Sequence, residues 1–258
     1  MHCSAGGCGL AWCGVTLLSL VGTVTCSAPV PPRSFILVVG DGLGFEHLEF
    51  LPNATTDTGD GYFAQLSATP HVAEGLHAPE SASAASALST GCETPARWIS
   101  QVRSMIYPTT LGELFINQKR PVGAVSTACM VDPTVAAMFV HSEERYNFIE
   151  TGRLMESAGL SVMMGGITHT IRHPAGACTV NNRHDTINSE VCRSGPLVGE
   201  FGDPHQLHSL ECQYMPYAHD RAKSTAYPTL LEMTRRAAIE LEAKSGDKGF
   251  FLFVSADR

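Results

Sequence analysis

The chain has 258 residues, enough for one large α/β domain or two smaller ones and for a sizeable buried core. Apolar residues make up 44% and charged residues 16%, with 24 Gly and 15 Pro and no sustained repeat, which excludes intrinsic disorder, collagen and coiled coil. A formal charge of -8 argues against nucleic acid as a partner, because gripping a phosphate backbone needs a basic face, yet it leaves room for a local cationic pocket around a small anion.

Residues 10–25 form an apolar run containing Leu17, Leu18, Leu20 and Val21, short for a bilayer span and suited to a signal-peptide core. Small residues Cys26, Ser27 and Ala28 follow, although the basic flank that usually precedes such a core is reduced to His2 and the terminal amine. The pattern predicts a signal peptide over 1–27 with cleavage near Ser27, the alternatives being an uncleaved anchor or a misassigned start. The mature chain, 28–258, then opens on the extended Pro29, Pro31 and Pro32 leader and takes a secretory route, to the extracellular space or cell surface. Asn53-Ala54-Thr55 is an N-glycosylation acceptor that suits this route and also arises by chance. Five cysteines stay in the mature chain: Cys92, Cys129, Cys178, Cys192 and Cys212. Cys178 and Cys192 are a plausible local bridge, and the odd count leaves one thiol over.

Phe35 to Val39, ended by Gly40, reads as a strand buried on both faces of a parallel sheet. Ser81 to Leu88 is Ala- and Ser-rich and stops at Gly91 as a helix C-cap would. Thr110 with Glu113 is a capping box opening a helix to Lys119, followed by strand Val122 to Val125. Further helices are predicted over 134–140, 151–158 and 229–244, and strands over Leu160 to Met164, closed by Gly165-Gly166, and Phe250 to Val254. This alternation predicts an α/β fold with a parallel-rich central sheet and helices on both faces. Between Gly166 and Pro228 the pattern dissolves, so 167–227 is expected to be a surface insertion. A buried strand ending the chain at Arg258 gives the expectation that the domain is incomplete at its C-terminus.

Asp41 follows the first strand between two glycines, at the strand end where open α/β sheets collect ligands; a turn aspartate is the plainer reading. Ser81 begins the Ala-rich helix, where free N–H groups and the helix dipole favour an anion or an attacking oxyanion, or where it is simply an N-cap. Asp132-Pro133-Thr134 adds oxygen ligands, and Arg145 a guanidinium suited to a bidentate grip on phosphate. Taken singly, each of these is a cap, a turn or a solvated charge.

Their order resembles that of the alkaline phosphatases. Gly40-Asp41-Gly42-Leu43-Gly44 is similar to the family's first metal-ligand motif, and Glu80-Ser81-Ala82-Ser83-Ala84-Ala85-Ser86-Ala87-Leu88-Ser89-Thr90-Gly91 to its nucleophile segment. Val125 to Ala128, Asp132 to Ala137 and on to Arg145, Met215 to Ala218 with Asp220-Arg221, Glu232-Met233-Thr234 and Gly249 to Leu252 continue the likeness from about Phe35 to Arg258. The resemblance implies a phosphomonoester hydrolase in which Ser81 becomes phosphoserine and Arg145 binds the substrate phosphate. Asp41 would then bridge zinc and magnesium, and Thr134 would ligate the magnesium. Small phosphomonoesters would be its substrates and a homodimer its assembly; a membrane anchor would be signalled beyond Arg258.

Departures from the family pattern stand beside this likeness. Glu80 occupies a position where the family has Asp, one methylene shorter, and Ser255 stands where it has a Glu ligand for magnesium. Its remaining zinc ligands, two Asp and three His, fall past Arg258; of this chain's histidines, which include His219, the i, i+3 pair His205 and His208 sits in the expected insertion and reads as solvated surface. The alternative is a catalytically inactive fragment or a non-catalytic truncated relative. A sulfatase or phosphodiesterase ranks below both, because no Cys/Ser-x-Pro-x-Arg motif is present.

Overall fold

A computed structural model describes residues 33–42, 80–103, 106–168, 170–202 and 226–257. The expected signal peptide, Asn53, Cys212, His205, His208, His219 and the Met215 to Arg221 motif lie outside these residues. The described elements, in chain order, are β1 (Phe35–Gly40), α1 (Ser81–Thr90), α2 (Leu111–Asn117), β2 (Val122–Cys129), α3 (Pro133–Ala136) and α4 (Phe148–Ser157). There follow β3 (Val162–Gly166), β4 (Cys178–Val180), α5 (Arg183–Asn188), β5 (Leu197–Phe201), α6 (Leu230–Ser245) and β6 (Phe251–Ala256). The strands form one sheet in the order β1-β6-β2-β3-β5-β4, and all its pairings are parallel.

Strand alternation sends neighbouring side chains to opposite faces, and each face has its own core. Phe251 and Phe253 of β6 join Ala124 and Met163 beneath α1 and α3, with Ala82, Ala85, Val135 and Met138. Leu252 and Val254 join Val125, Val162 and Leu197 beneath α6, which contributes Met233, Ala237 and Leu241. Helices thus cover both faces, as the alternating sequence predicts. The helix starts follow their capping residues: Thr110 and Thr229 build capping boxes with Glu113 and Glu232. Gly91 ends α1 in the left-handed conformation at φ 71, where a Cβ is disfavoured.

Four expectations need correction. First, β1 is not buried on both faces: it pairs with β6 alone in the described sheet, and Phe35, Ile36 and Val38 are exposed while Leu37 and Val39 pack inward. An apolar run does not distinguish an edge strand from a central one, and the central place goes to β6, whose Phe251 to Val254 are buried throughout. Second, 167–227 does not run only over the surface. Its described part supplies α5 and two sheet strands, β4 and β5, with Leu197, Val198 and Phe201 fully buried. Strands of three and five residues are too short to show a period. Third, the helix expected over 134–140 is only the four-residue α3, because past it the chain tightens: the Met138 and Phe139 N–H groups donate three residues back, to Val135 at 3.1 Å and Ala136 at 2.9 Å. Fourth, Gly165 and Gly166 lie inside β3 rather than after it.

Candidate active site

The carboxyl ends of β1, β6 and β2 converge below the N-termini of α1 and α3, and there the chemistry-bearing residues meet. Asp41 is the first residue past β1, pinned by its N–H donating to the Ala256 carbonyl at 2.9 Å. Its two oxygens serve different partners: the Ser81 hydroxyl donates to Oδ1 at 3.2 Å, and the Thr134 hydroxyl to Oδ2 at 2.6 Å. Asp132 caps α3 by accepting from the Thr134 N–H at 2.9 Å, so Thr134 stitches both carboxylates together.

Ser81 is not the N-cap of α1. Glu80 takes that place, its Oε1 accepting from the N–H groups of Ser83 at 3.0 Å and Arg97 at 2.8 Å. This leaves the Ser81 hydroxyl at the first turn, facing a cavity of about 550 Å³ lined also by Asp41, Gly42, Glu80, Thr134 and Arg145. Arg145 forms an ion pair through Nη1 with Glu80 Oε2, and its guanidinium lies 5.2 Å from the Tyr146 ring centre. Among the described residues its buried Nε has no partner, which leaves a donor for an incoming acceptor. Glu80 therefore caps the helix that presents Ser81 and also holds Arg145.

One member of the cluster was given no role by the sequence. Asp257, just past β6, brings a carboxylate oxygen within 4.8 Å of those of Asp41 and Asp132. Burial above all, then the charges of Asp132 and Asp41, pushes its carboxyl up to about 7. Asp132 is pushed up to about 6, again by burial first and with Asp41 adding to it, against the Thr134 N–H and Arg145. The available signal was the period of a strand: residues 255 and 257 fall on the same face. His141, by contrast, is occupied elsewhere, with Glu113 at 3.1 Å and the Ser100 carbonyl.

No family model matches the sequence. Among curated proteins, the alkaline phosphatase of Escherichia coli (strain K12) is 26% identical over 290 residues, an alignment covering 87% of this chain and 60% of that protein. The alkaline phosphatase of Thermus thermophilus superposes with a TM-score of 0.69 at 19% identity, over 92% of this chain and 54% of that one. This chain resembles the alkaline phosphatases in both sequence and fold. The cold-active alkaline phosphatase of a psychrophilic Shewanella gives a TM-score of 0.67 at 21% identity, over 86% of this chain and 56% of that one. An alkaline phosphatase mutant from the Antarctic bacterium TAB5, with Mg bound in its M3 site, gives 0.65 at 18% identity, over 87% and 64%. The chain thus spans just over half the length of most of these alkaline phosphatases.

The described residues fit a hard divalent cation. Asp41, Asp132 and Asp257 converge with the Thr134 hydroxyl, and among the described residues no basic side chain forms an ion pair with any of the three carboxylates. Such an all-oxygen set suits magnesium. Zinc would find Asp41 and the Ser81 hydroxyl, with no described histidine beside them.

Proposed function

We propose that the chain carries the phosphate-binding and nucleophile groups of a cation-dependent phosphomonoester hydrolase of the alkaline phosphatase type, working through a phosphoserine at Ser81. The observation carrying this reading is the Ser81 hydroxyl, set at the first turn of α1 within hydrogen-bond distance of Asp41, in a cavity shared with the partly unpaired Arg145. The likeness to alkaline phosphatases supports the same chemistry.

A phosphomonoester dianion entering this cavity meets two anion-binding features: the N-terminus of α1 and the Arg145 guanidinium that Glu80 orients. The Ser81 hydroxyl donates a hydrogen bond to Asp41 Oδ1, which aims a lone pair of Oγ at phosphorus, and the proton it gives up is the one that the departing alcohol carries away. The Ser81 oxygen forms the new P–O bond as the ester P–O bond breaks, and the alcohol leaves with a proton. Water then attacks the phosphoserine, releasing inorganic phosphate and restoring the hydroxyl. Magnesium, and zinc where held, would supply Lewis-acid neutralisation of the charge developing on the attacking and leaving oxygens. Magnesium would be held by Asp41, Asp132, Thr134 and Asp257, and zinc by Asp41.

The secretory placement belongs to the same proposal, and the Cys178–Cys192 disulfide supports it, since such bridges persist in oxidising compartments. The test is hydrolysis of p-nitrophenyl phosphate at alkaline pH with magnesium and zinc supplied. Turnover that disappears in Ser81→Ala is the expected result; turnover unchanged in that variant contradicts the reading. The second reading, a non-catalytic relative, is favoured by the absence of histidine from the described cluster, and bound cation without any turnover would select it.

A further inference from the structure

We infer that Asp257 supplies the third carboxylate of the cation cradle, with Ser255 turned from ligand position to positioning residue. The inference rests on the cation-dependent reading above and concerns which of this chain's residues build the cradle. Ser255, standing where the family pattern has a glutamate, is fully buried, and its hydroxyl donates to Asp257 Oδ2 at 3.1 Å. The Ser126 hydroxyl of the adjoining β2 reaches the same oxygen at 3.4 Å. The Asp257 backbone is clamped from the same strand: its N–H donates to Thr127 Oγ1 at 2.7 Å, and that hydroxyl donates to the Asp257 carbonyl at 3.1 Å. Three hydroxyl residues from two parallel strands thus fix one aspartate.

Strand geometry explains why the relocation works. Residues two apart point to the same face and are displaced by about 6.6 Å along the strand, so a carboxylate two residues on keeps its face while moving outward, where a shorter side chain suffices. That face already bears Asp41, because Val39 is in register with Ser255 and the Asp41 N–H donates to Ala256. Without a cation, three carboxylates within 4.8 Å repel one another, and the hydroxyls that hold Asp257 cannot neutralise it. A divalent ion coordinated by oxygens removes that repulsion.

The test is calorimetric titration of the full chain, stripped with a chelator, with magnesium alone, in wild type, Asp257→Asn, Asp132→Asn and Ser255→Ala. The inference predicts that Asp257→Asn weakens magnesium binding by about tenfold or more and Ser255→Ala by a smaller factor. In chelator, Asp257→Asn should melt at or above the wild-type temperature, a gain that a merely structural aspartate would not give. If that variant is not recovered folded, Asp257→Glu replaces it, with intermediate weakening expected. Wild-type affinity in the Asp257 variant, together with loss in Asp132→Asn, overturns the inference and leaves the cation reading standing. A wild type that binds no magnesium overturns both.

Discussion

Among the described residues, three carboxylates crowd together at the tip of β1, β6 and β2 without a basic partner in contact, whereas on the flank where α6 covers β3 the buried charge is answered. There the fully buried Glu240 accepts from Arg236 at 2.8 Å, Lys244 at 2.8 Å and the Cys192 N–H at 3.1 Å. Arg236 donates onward to the Glu190 carbonyl at 2.8 Å. Glu232 and Arg183 join α6 to α5 in a two-pronged pair, and the Cys178–Cys192 bridge ties β4 to the loop that leads into β5. Like residues thus have opposite surroundings: the flank spends its charges on holding elements together, and the tip leaves its charges uncompensated, as a site for an external cation requires.

The sharpest way to break this comparison is to remove a group from each region and read both activity and stability. Ser81→Ala should lower kcat by on the order of 10³-fold or more while leaving the urea midpoint nearly unchanged, because among the described residues the hydroxyl bonds Asp41 alone. Glu240→Ala should do the reverse. Leaving Arg236 buried and uncompensated is expected to cost about 3 to 5 kcal/mol in urea unfolding, with magnesium binding at the tip retained in the folded fraction.

Smaller effects sharpen the picture. Arg145→Ala should reduce kcat/KM by roughly a hundredfold with a raised KM, since it removes the guanidinium that the proposed function sets against the substrate phosphate; unaltered kinetics would refute that role. The two regions should also respond oppositely to pH. Asp132 and Asp257 titrate higher in the folded protein, at about 6 and about 7, than the usual 3.8, so the folded state binds more protons between those values. Cation-free protein should therefore lose stability as pH rises from about 4 to about 7. Glu232 is held down to about 2 by hydrogen bonding to Arg183 above all, so its contribution is present above the usual 4.5 and is lost as pH falls towards 2. Urea midpoints across this range, measured in chelator, should show the neutral-side slope diminished in Asp257→Asn and the acid-side slope diminished in Glu232→Gln.

Much of the fold was legible because its signals are local. The capping residues Thr110 and Thr229, Gly91 after α1 and the apolar run of β6 each declare an element within a few residues. Strand position was not legible, since the place of β1 at the sheet edge depends on β6, which lies more than 200 residues away. β4 and β5 were hidden for a different reason: three- and five-residue strands set among Gly and Pro carry no measurable period. At the site, Asp41, Ser81, Asp132, Thr134 and Arg145 were singled out from motif and spacing, and the structure gathers them at one end of the sheet. Asp257 carries no local signal of a role, because its meeting with Asp41 is set by the register of β6 against β1, strands distant in sequence.

The most direct test of the central claim is to locate the phosphoryl group. Full-length chain supplied with magnesium and zinc would be mixed with a phosphomonoester, quenched within a single turnover and mapped by peptide mass spectrometry. The account predicts one phosphoryl group on Ser81, absent from Ser81→Ala and depleted as turnover proceeds. Substrate hydrolysed with Ser81 unmodified throughout, or a phosphoryl group carried stably on another residue, would contradict it.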